Sequence, residues 1–523
     1  MTDIRTGEKD QEVAEAIAAF EQQVGVTGVH VKYTQVGNRK FLKFVVGREA
    51  PLYTYALHQA QQSLSEDNQF RGAMGLRTEK DVTFPNSLEA SALLTLLTRS
   101  TREVSEDESS RGYSVPYIPF QRREDHKLAQ PASHIVRGRR GVGKSTLMRR
   151  ATELLRATPA LVAVVDMQTY STLTGGALLS ELLHDVCAQF VAALPRVSSA
   201  IGRPLTGDNL LAVANKILGR GLAPNNAPPT IKRALSEITR ATRNHAFVFL
   251  DDYHLIDHDS QPHLLHVLHG ALKGANGWIK VAGLSSLLNT YSPKSREGLQ
   301  VPGDAQFISL DLTLENPEAA EAHLRAILES FLNAVGYSVG KTVIPEAAFR
   351  RLAWATAGVP RDFLQMFARS IEHAQRNRHA AVTLSDVNIA IGEFGQQKMD
   401  DLLKDARNEA DVLKDFLSRI ETLCLDSKKV NAFLVRSEES KERNLVHALS
   451  DLRMVHLIHQ SITPHRAGER YEAYIIDYSI FTGFRRRPGV REMVPDEAQF
   501  KASELRALPR IDAGFLDKSG GAG

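Results

Sequence analysis

The chain has 523 residues, a formal net charge of +3, 43% hydrophobic and 24% charged residues, and two cysteines. That length accommodates roughly three or four domains, and the composition excludes a disordered, collagenous or disulfide-stapled protein. No apolar run reaches the ~18–20 residues of a membrane helix, and Met1–Asp10 is polar throughout, unlike a secretory leader. A cytoplasmic protein without a membrane partner is therefore expected. The charge is too mild to demand nucleic acid.

Residues 1–99 read as an α+β accessory domain. Gln11–Gln23 carries Val13, Ala16, Ile17 and Phe20 at helical spacing. Val29–Val36 and Lys40–Val46 alternate apolar and polar around Gly37-Asn38, which predicts a β-hairpin. Pro51–Leu64 and Ser87–Leu97 read as helices, and no catalytic constellation stands out here. Residues 100–117 are Ser-rich, charged and aperiodic, the composition of a linker. Phe120–Leu128, with Arg122, Arg123 and His126, reads either as an approach segment lying over a nucleotide base or as a solvated connector.

The strand-like Ser133–Val136 leads into Gly138-Arg139-Arg140-Gly141-Val142-Gly143-Lys144-Ser145-Thr146. This is a full phosphate-binding loop, or Walker A motif. Its glycines let successive backbone N–H groups turn inward onto phosphate oxygens. Lys144 suits the β- and γ-phosphates, Ser145 suits Mg²⁺, and the helix opening at Thr146 adds positive potential. Leu161–Asp166 is a buried-strand candidate and 176–194 a long helix. Such alternation implies a parallel sheet covered by helices. The Pro-, Gly- and Asn-rich 196–230 reads as a flexible insertion with one short helix near Leu210–Leu218.

His245–Asp252 is an apolar strand ending in two carboxylates, a Walker B motif. Asp251 is placed for the Mg²⁺ shell, and Asp252 stands where a water-activating glutamate is usual, one methylene shorter. The histidines 254, 258, 263, 266 and 269 lack the accompanying pattern of a metal site and read as a solvated helix face. Trp278–Leu284 is a further buried strand, and Ser285, Ser286 and Asn289 after it are candidates to sense a terminal phosphate or simple caps. Arg296 precedes the last strand, Phe307–Leu312. It reads as an arginine finger toward a neighbouring subunit or as surface charge. The absence of an Asn-Lys-x-Asp signature favours ATP over GTP.

Residues 315–400 read as helices, among them Ala319–Val335 and Pro345–Ala355. Gly358-Val359-Pro360-Arg361 closes one helix and opens the next, with Arg361 in its first turn. Taken together, Gly138–Ser145, Phe247–Asp252 and Gly358–Arg361 resemble an AAA+ ATPase of the origin-recognition/initiator type, related also to the STAND signalling ATPases. The resemblance spans about 118–395. It implies an α/β nucleotide-binding domain over 118–314, a helical lid over 315–400, and a sensor role for Arg361 toward the γ-phosphate of ATP. Asp252 in place of glutamate departs from the usual hydrolytic pattern.

Residues 401–485 fit the same branch. Helices at Asp411–Leu423 and Lys441–Leu452 precede paired strands Val455–Ser461 and Tyr471–Ile476, the outline of a winged helix. Lys441, Arg443, Arg466 and Arg470 are its candidate contacts to double-stranded DNA. Residues 486–523 read as a basic, extended tail. The expected protein is an ATP- and Mg²⁺-dependent switch, with turnover in doubt, coupling nucleotide state to DNA binding or loading and to self-assembly or protein partners. The rival is a STAND-type signalling ATPase acting through proteins.

Overall fold

Four apolar runs in the middle of the chain, each rich in Val, Ile, Phe or Ala, lie side by side as parallel strands, with a fifth strand at one edge. In the computed structural model the strand order is Gln306–Ser309, His134–Arg137, Gly277–Gly283, Ala246–Asp251, Leu161–Asp166. The structure describes residues 3–4, 11–36, 39–79, 83–101, 113–312, 314–405, 410–463, 469–482, 487–493 and 502–516. Two compact units emerge: Pro119–Asp311 with Asn444–Arg453 forms one, and the rest of the chain the other.

In the parallel-sheet unit the strands Leu161–Asp166, Ala246–Asp251 and Gly277–Gly283 are buried almost end to end, as both faces of such a sheet demand, while the edge strand Gln306–Ser309 buries only Ile308. The helix Lys144–Arg156 follows the phosphate-loop sequence directly. The expected long helix is longer than its pattern suggested, running Gly175–Ile201 through Pro195. It is also apolar and long enough to cross a membrane, contrary to expectation. Its apolar face, Leu178 to Val197, instead lies in the main core with the strands. The segment expected to be a flexible insertion is ordered: the helix Asp208–Leu218 buries Leu210, Val213, Ala214 and Ile217. A further helix, Pro228–Thr242, opens on two prolines and buries Ile231, Leu235 and Ile238. Sequence inspection missed it because its apolar residues sit behind a Pro/Asn-rich stretch that reads as loop.

In the second unit, Val31–Val36 and Arg39–Val46 form the predicted antiparallel pair, joined by the unforeseen parallel strand Met74–Thr78. The helices Gln11–Val24, Pro51–Ser63 and Leu88–Thr101 match the predicted ones; Gly37 and Asn38 lie outside the described residues. This segment is packed onto the helical region: Arg48 stacks over the Tyr337 ring at 4.2 Å, and Phe84 meets the same ring at 4.9 Å. The helical region comprises Pro317–Ala334, Glu346–Ala355, Pro360–Arg376 and Leu384–Asp405. A mixed sheet of order Val455–Ile462, Tyr471–Ile476, Ala432–Arg436, Arg510–Ile511 closes the chain. The 455–462/471–476 hairpin is as expected. The last strand is not: part of the expected extended tail folds back, with Leu505, Leu508 and Ile511 buried. Residues 494–501 and 517–523 of that tail, and most of the expected linker, lie outside the described residues.

Candidate nucleotide-binding site

Within the parallel-sheet unit, the loop between the strand His134–Arg137 and the helix Lys144–Arg156 turns on two glycines with positive φ, Gly141 at 80° and Gly143 at 98°. A side chain at either would be strained. Gly138 is required for a different reason, since a Cβ there would meet Val142 Cγ2 at 2.8 Å. Val142 is buried and pins the loop from inside. Arg139 fixes the entrance: its backbone N–H and its Nε both donate to Asp311 Oδ1, at 2.9 and 3.1 Å.

Lys144 is 7% exposed and its ammonium donates to the carbonyls of Gly138 and Arg139, at 2.9 and 3.0 Å. Burial lowers its pKa, opposed by the carboxylates of Asp252, Asp311, Asp251 and Asp451. A lysine so placed is folded over its own loop, with its charge ready for an anion. Ser145 and Thr146 follow at the exposed helix start.

Strand register sets the acidic side. Ala246–Asp251 pairs in parallel with Leu161–Asp166, placing Asp251 beside Asp166 at the carboxyl ends. Burial raises the Asp251 pKa. A hydrogen bond from the Ser145 hydroxyl, the Asp252 N–H (2.9 Å) and the Lys144 charge work against that rise. The loop serine and the strand-end carboxylate are therefore in direct contact, the pairing a hydrated Mg²⁺ needs. Asp252 takes a left-handed backbone, φ 50° and ψ 37°, uncommon outside glycine. His254 Nδ1 lies 3.9 Å from its Oδ1.

After the strand Gly277–Gly283 comes a short 3-10 turn, Ser285–Leu287. Ser286 donates its N–H to Asp451 Oδ2 at 2.6 Å. Asn289, the other sensor candidate, has a structural employment instead: its N–H donates to Gln261 Oε1 and its Nδ2 to the His258 carbonyl. Arg296 is exposed, with φ 58°, at the tip of a small hairpin formed by Tyr291–Ser292 and Glu297–Gly298. Of the histidine run, His263 contacts Glu297 (3.0 Å) and His269 contacts Asp304 (3.3 Å), which occupies them in surface pairs.

The site thus gathers Lys144, Ser145, Asp251, Asp252 and Ser286 in one unit. Arg361 belongs to the other unit, as the second residue of the helix Pro360–Arg376 and half-buried. The helix start is tightly specified: Gly358 has φ 80°, and a Cβ on it would lie 2.5 Å from the Leu312 carbonyl. Asp362, next to Arg361, is fully buried and 3.4 Å from Lys398 Nζ.

Among the proposed DNA contacts, Lys441 is exposed at the first residue of its helix. Arg443 is already engaged, its Nε and Nη2 donating to Glu472 Oε1 at 3.0 and 2.7 Å. Arg470 is exposed beside the strand Tyr471–Ile476, and Arg466 lies outside the described residues. Sequence reasoning missed Asp311 and Asp451. Asp311 lies two residues past the edge strand and carried no motif. Asp451 lies 165 residues beyond Ser286, inside a helix read for its basic residues.

A five-stranded parallel sheet, a glycine loop opening onto a helix, and a carboxylate at the neighbouring strand end define a P-loop α/β nucleotide-binding fold. Residues 122–274 match the AAA ATPase domain family. That segment is accordingly an AAA ATPase domain; the helical region and the C-terminal mixed sheet lie outside the matched residues. No curated protein sequence matches it. Among solved structures, Cdc6p from Pyrobaculum aerophilum is 16% identical, covering 72% of this chain and 94% of that one with a TM-score of 0.33. The Aeropyrum pernix Orc1 protein in complex with DNA is also 16% identical, over 69% and 91%, with a TM-score of 0.35. Drosophila ORC bound to DNA is 12% identical, over 80% and 94%, with a TM-score of 0.36. Likenesses this remote establish no shared activity.

Proposed function

We propose that the protein is an ATP-binding, Mg²⁺-dependent AAA+ switch of the cytoplasm that hydrolyses ATP slowly and couples its nucleotide state to double-stranded DNA. The observation that carries the nucleotide part is the Ser145–Asp251 contact beneath a buried Lys144. It supplies a metal position and a phosphate position side by side. The donor set is oxygen only, which suits Mg²⁺. Lys144 and the loop N–H groups from Gly141 to Ser145 neutralise and orient the phosphates. Ser145 and Asp251 would hold the metal, which would supply neutralisation of phosphate charge. Asp252 accepts the proton of the attacking water, its reach set by the left-handed turn. The short side chain is the reason to expect slow turnover. Arg361 contributes a forked cation toward the γ-phosphate, and Arg296 a charge toward a second copy in a nucleotide-dependent assembly.

DNA binding rests on Lys441, Arg470 and Arg466. The Arg443–Glu472 pair favours a second reading, a STAND-type signalling ATPase that acts on proteins, because a paired guanidinium must give up its partner to reach a phosphate. Duplex affinity measured with ATP at two salt concentrations separates the two. The DNA reading expects affinity that falls steeply with salt and weakens when Arg466 and Arg470 are both reversed to glutamate. No duplex binding at either salt rejects it in favour of the signalling reading.

A further inference from the structure

The helix Lys441–Asp451 ends in the parallel-sheet unit, to which Asn444–Arg453 belongs. Its last residue reaches the phosphate loop itself. The Asp451 carbonyl accepts the N–H of Arg140 at 3.2 Å, an amide of the Walker A turn. Its carboxylate accepts the Ser286 N–H at 2.6 Å, and Asp451 is only 7% exposed.

Four carboxylates act on Lys144: Asp252, Asp311, Asp251 and Asp451. Three have evident duties in the site. Asp251 bonds Ser145, Asp311 holds the Arg139 guanidinium, and Asp252 turns off the strand end. Asp451 differs in its donors. Its carboxylate takes the N–H of Ser286, three residues past the central strand, while its backbone carbonyl takes the Arg140 amide of the loop. Burial raises its pKa, Asp311 adds to the rise, and Ser286 and Lys144 oppose it. Arg137 also lies in its field. A carboxyl group is thus held beside the phosphate loop, within the field of Lys144.

We propose that Asp451 is the residue that distinguishes ATP from ADP: its carboxylate stands in for a terminal phosphate, so that a diphosphate binds with it in place and a triphosphate binds only by displacing it. The inference rests on the nucleotide reading above and adds a specificity residue to it. Like charges at contact distance in a buried site repel strongly, so a γ-phosphate and an ionised Asp451 exclude each other. Asp451→Asn keeps shape and removes charge, and Asp451→Ala removes both.

The test is equilibrium titration of the full chain with fluorescent ADP and a fluorescent non-hydrolysable ATP analogue, with folding of each variant checked by circular dichroism. Preference for the ATP analogue over ADP should rise about tenfold or more in both variants, with ADP affinity changed by less than about threefold. In the parent, amide hydrogen exchange over 444–453 should rise with the ATP analogue and not with ADP, a readout that needs no variant. An unchanged ATP-to-ADP preference in both variants, with ADP binding retained, overturns the role of Asp451 and leaves the nucleotide reading standing. Equal exchange over 444–453 with the two nucleotides overturns it as well. Failure of parent and variants to bind either nucleotide overturns both readings.

Discussion

Replacing Asp477 by asparagine tests how the start of the Arg361 helix is held. Asp477 is fully buried; Lys398 Nζ lies 2.5 Å from its Oδ2 and His456 Nε2 2.7 Å from the same oxygen. Lys398 is itself 3.4 Å from Asp362, the neighbour of Arg361. The cluster therefore ties the helix Pro360–Arg376 to the C-terminal sheet within one unit. Removing one partner of a buried ion pair costs about 3–5 kcal/mol, because the other charge is left desolvated. Asp362 still faces Lys398 in the variant, so the lower end, about 3 kcal/mol, applies. With a urea slope of ~1–3 kcal/mol/M, the midpoint should fall by about 1–3 M. The chain has two tryptophans; with Trp278 replaced by phenylalanine, Trp354 fluorescence reports this unit alone. Burial pushes the Asp477 pKa up, but Lys398 and His456 outweigh it and hold the carboxyl well below the ordinary range. Its stabilisation is then fully present above the unfolded value of about 3.9 and is lost as pH falls below it. The part of the gap that the Asp477 charge supplies should narrow once pH falls below about 4. A midpoint within ~0.3 M of the parent, against the slope above, would refute the reasoning.

Further substitutions separate the roles in the site. Asp252→Asn should retain ATP and Mg²⁺ binding while hydrolysis falls by about 10²-fold or more, since an amide cannot accept the water's proton; hydrolysis at the parent rate in a phosphate-release assay would remove Asp252 as the base. Asp251→Asn should weaken Mg²⁺-dependent binding and turnover together, and parent-like dependence on Mg²⁺ would argue against a metal at Ser145 and Asp251. Arg361→Ala should bind ADP normally but lose protection from limited proteolysis by ATP. Equal protection in parent and variant would count against a lid role.

Much of the site was legible because its parts are local in sequence. The loop 138–145, the strand ending at Asp251 and the Gly358–Arg361 helix start each announce themselves within a dozen residues, through glycine positions, apolar runs and caps. What escaped notice is long-range or conformational. Asp311 and Asp451 earn their places only when distant segments meet the loop. The left-handed turn at Asp252 cannot be read from an Asp-Asp pair. Arg443 looked available for DNA because its partner Glu472 lies on another element, 29 residues away. The strand Met74–Thr78 is short and contains Gly75, which weakens any strand pattern. The strand Arg510–Ile511 is two residues long and is fixed by pairing with Leu434 and Val435.

The account stands on Lys144 as the cation of a nucleotide site, and ATP binding to Lys144→Ala tests it most directly. Calorimetric titration of the folded parent with Mg²⁺ and ATP should show saturable binding. The variant should lose about 3 kcal/mol or more of it, roughly a hundredfold or greater in Kd, because the charge facing the β- and γ-phosphates is gone. Undiminished ATP affinity in a variant with parent-like circular dichroism would contradict the assignment of the loop 138–146 as a phosphate site.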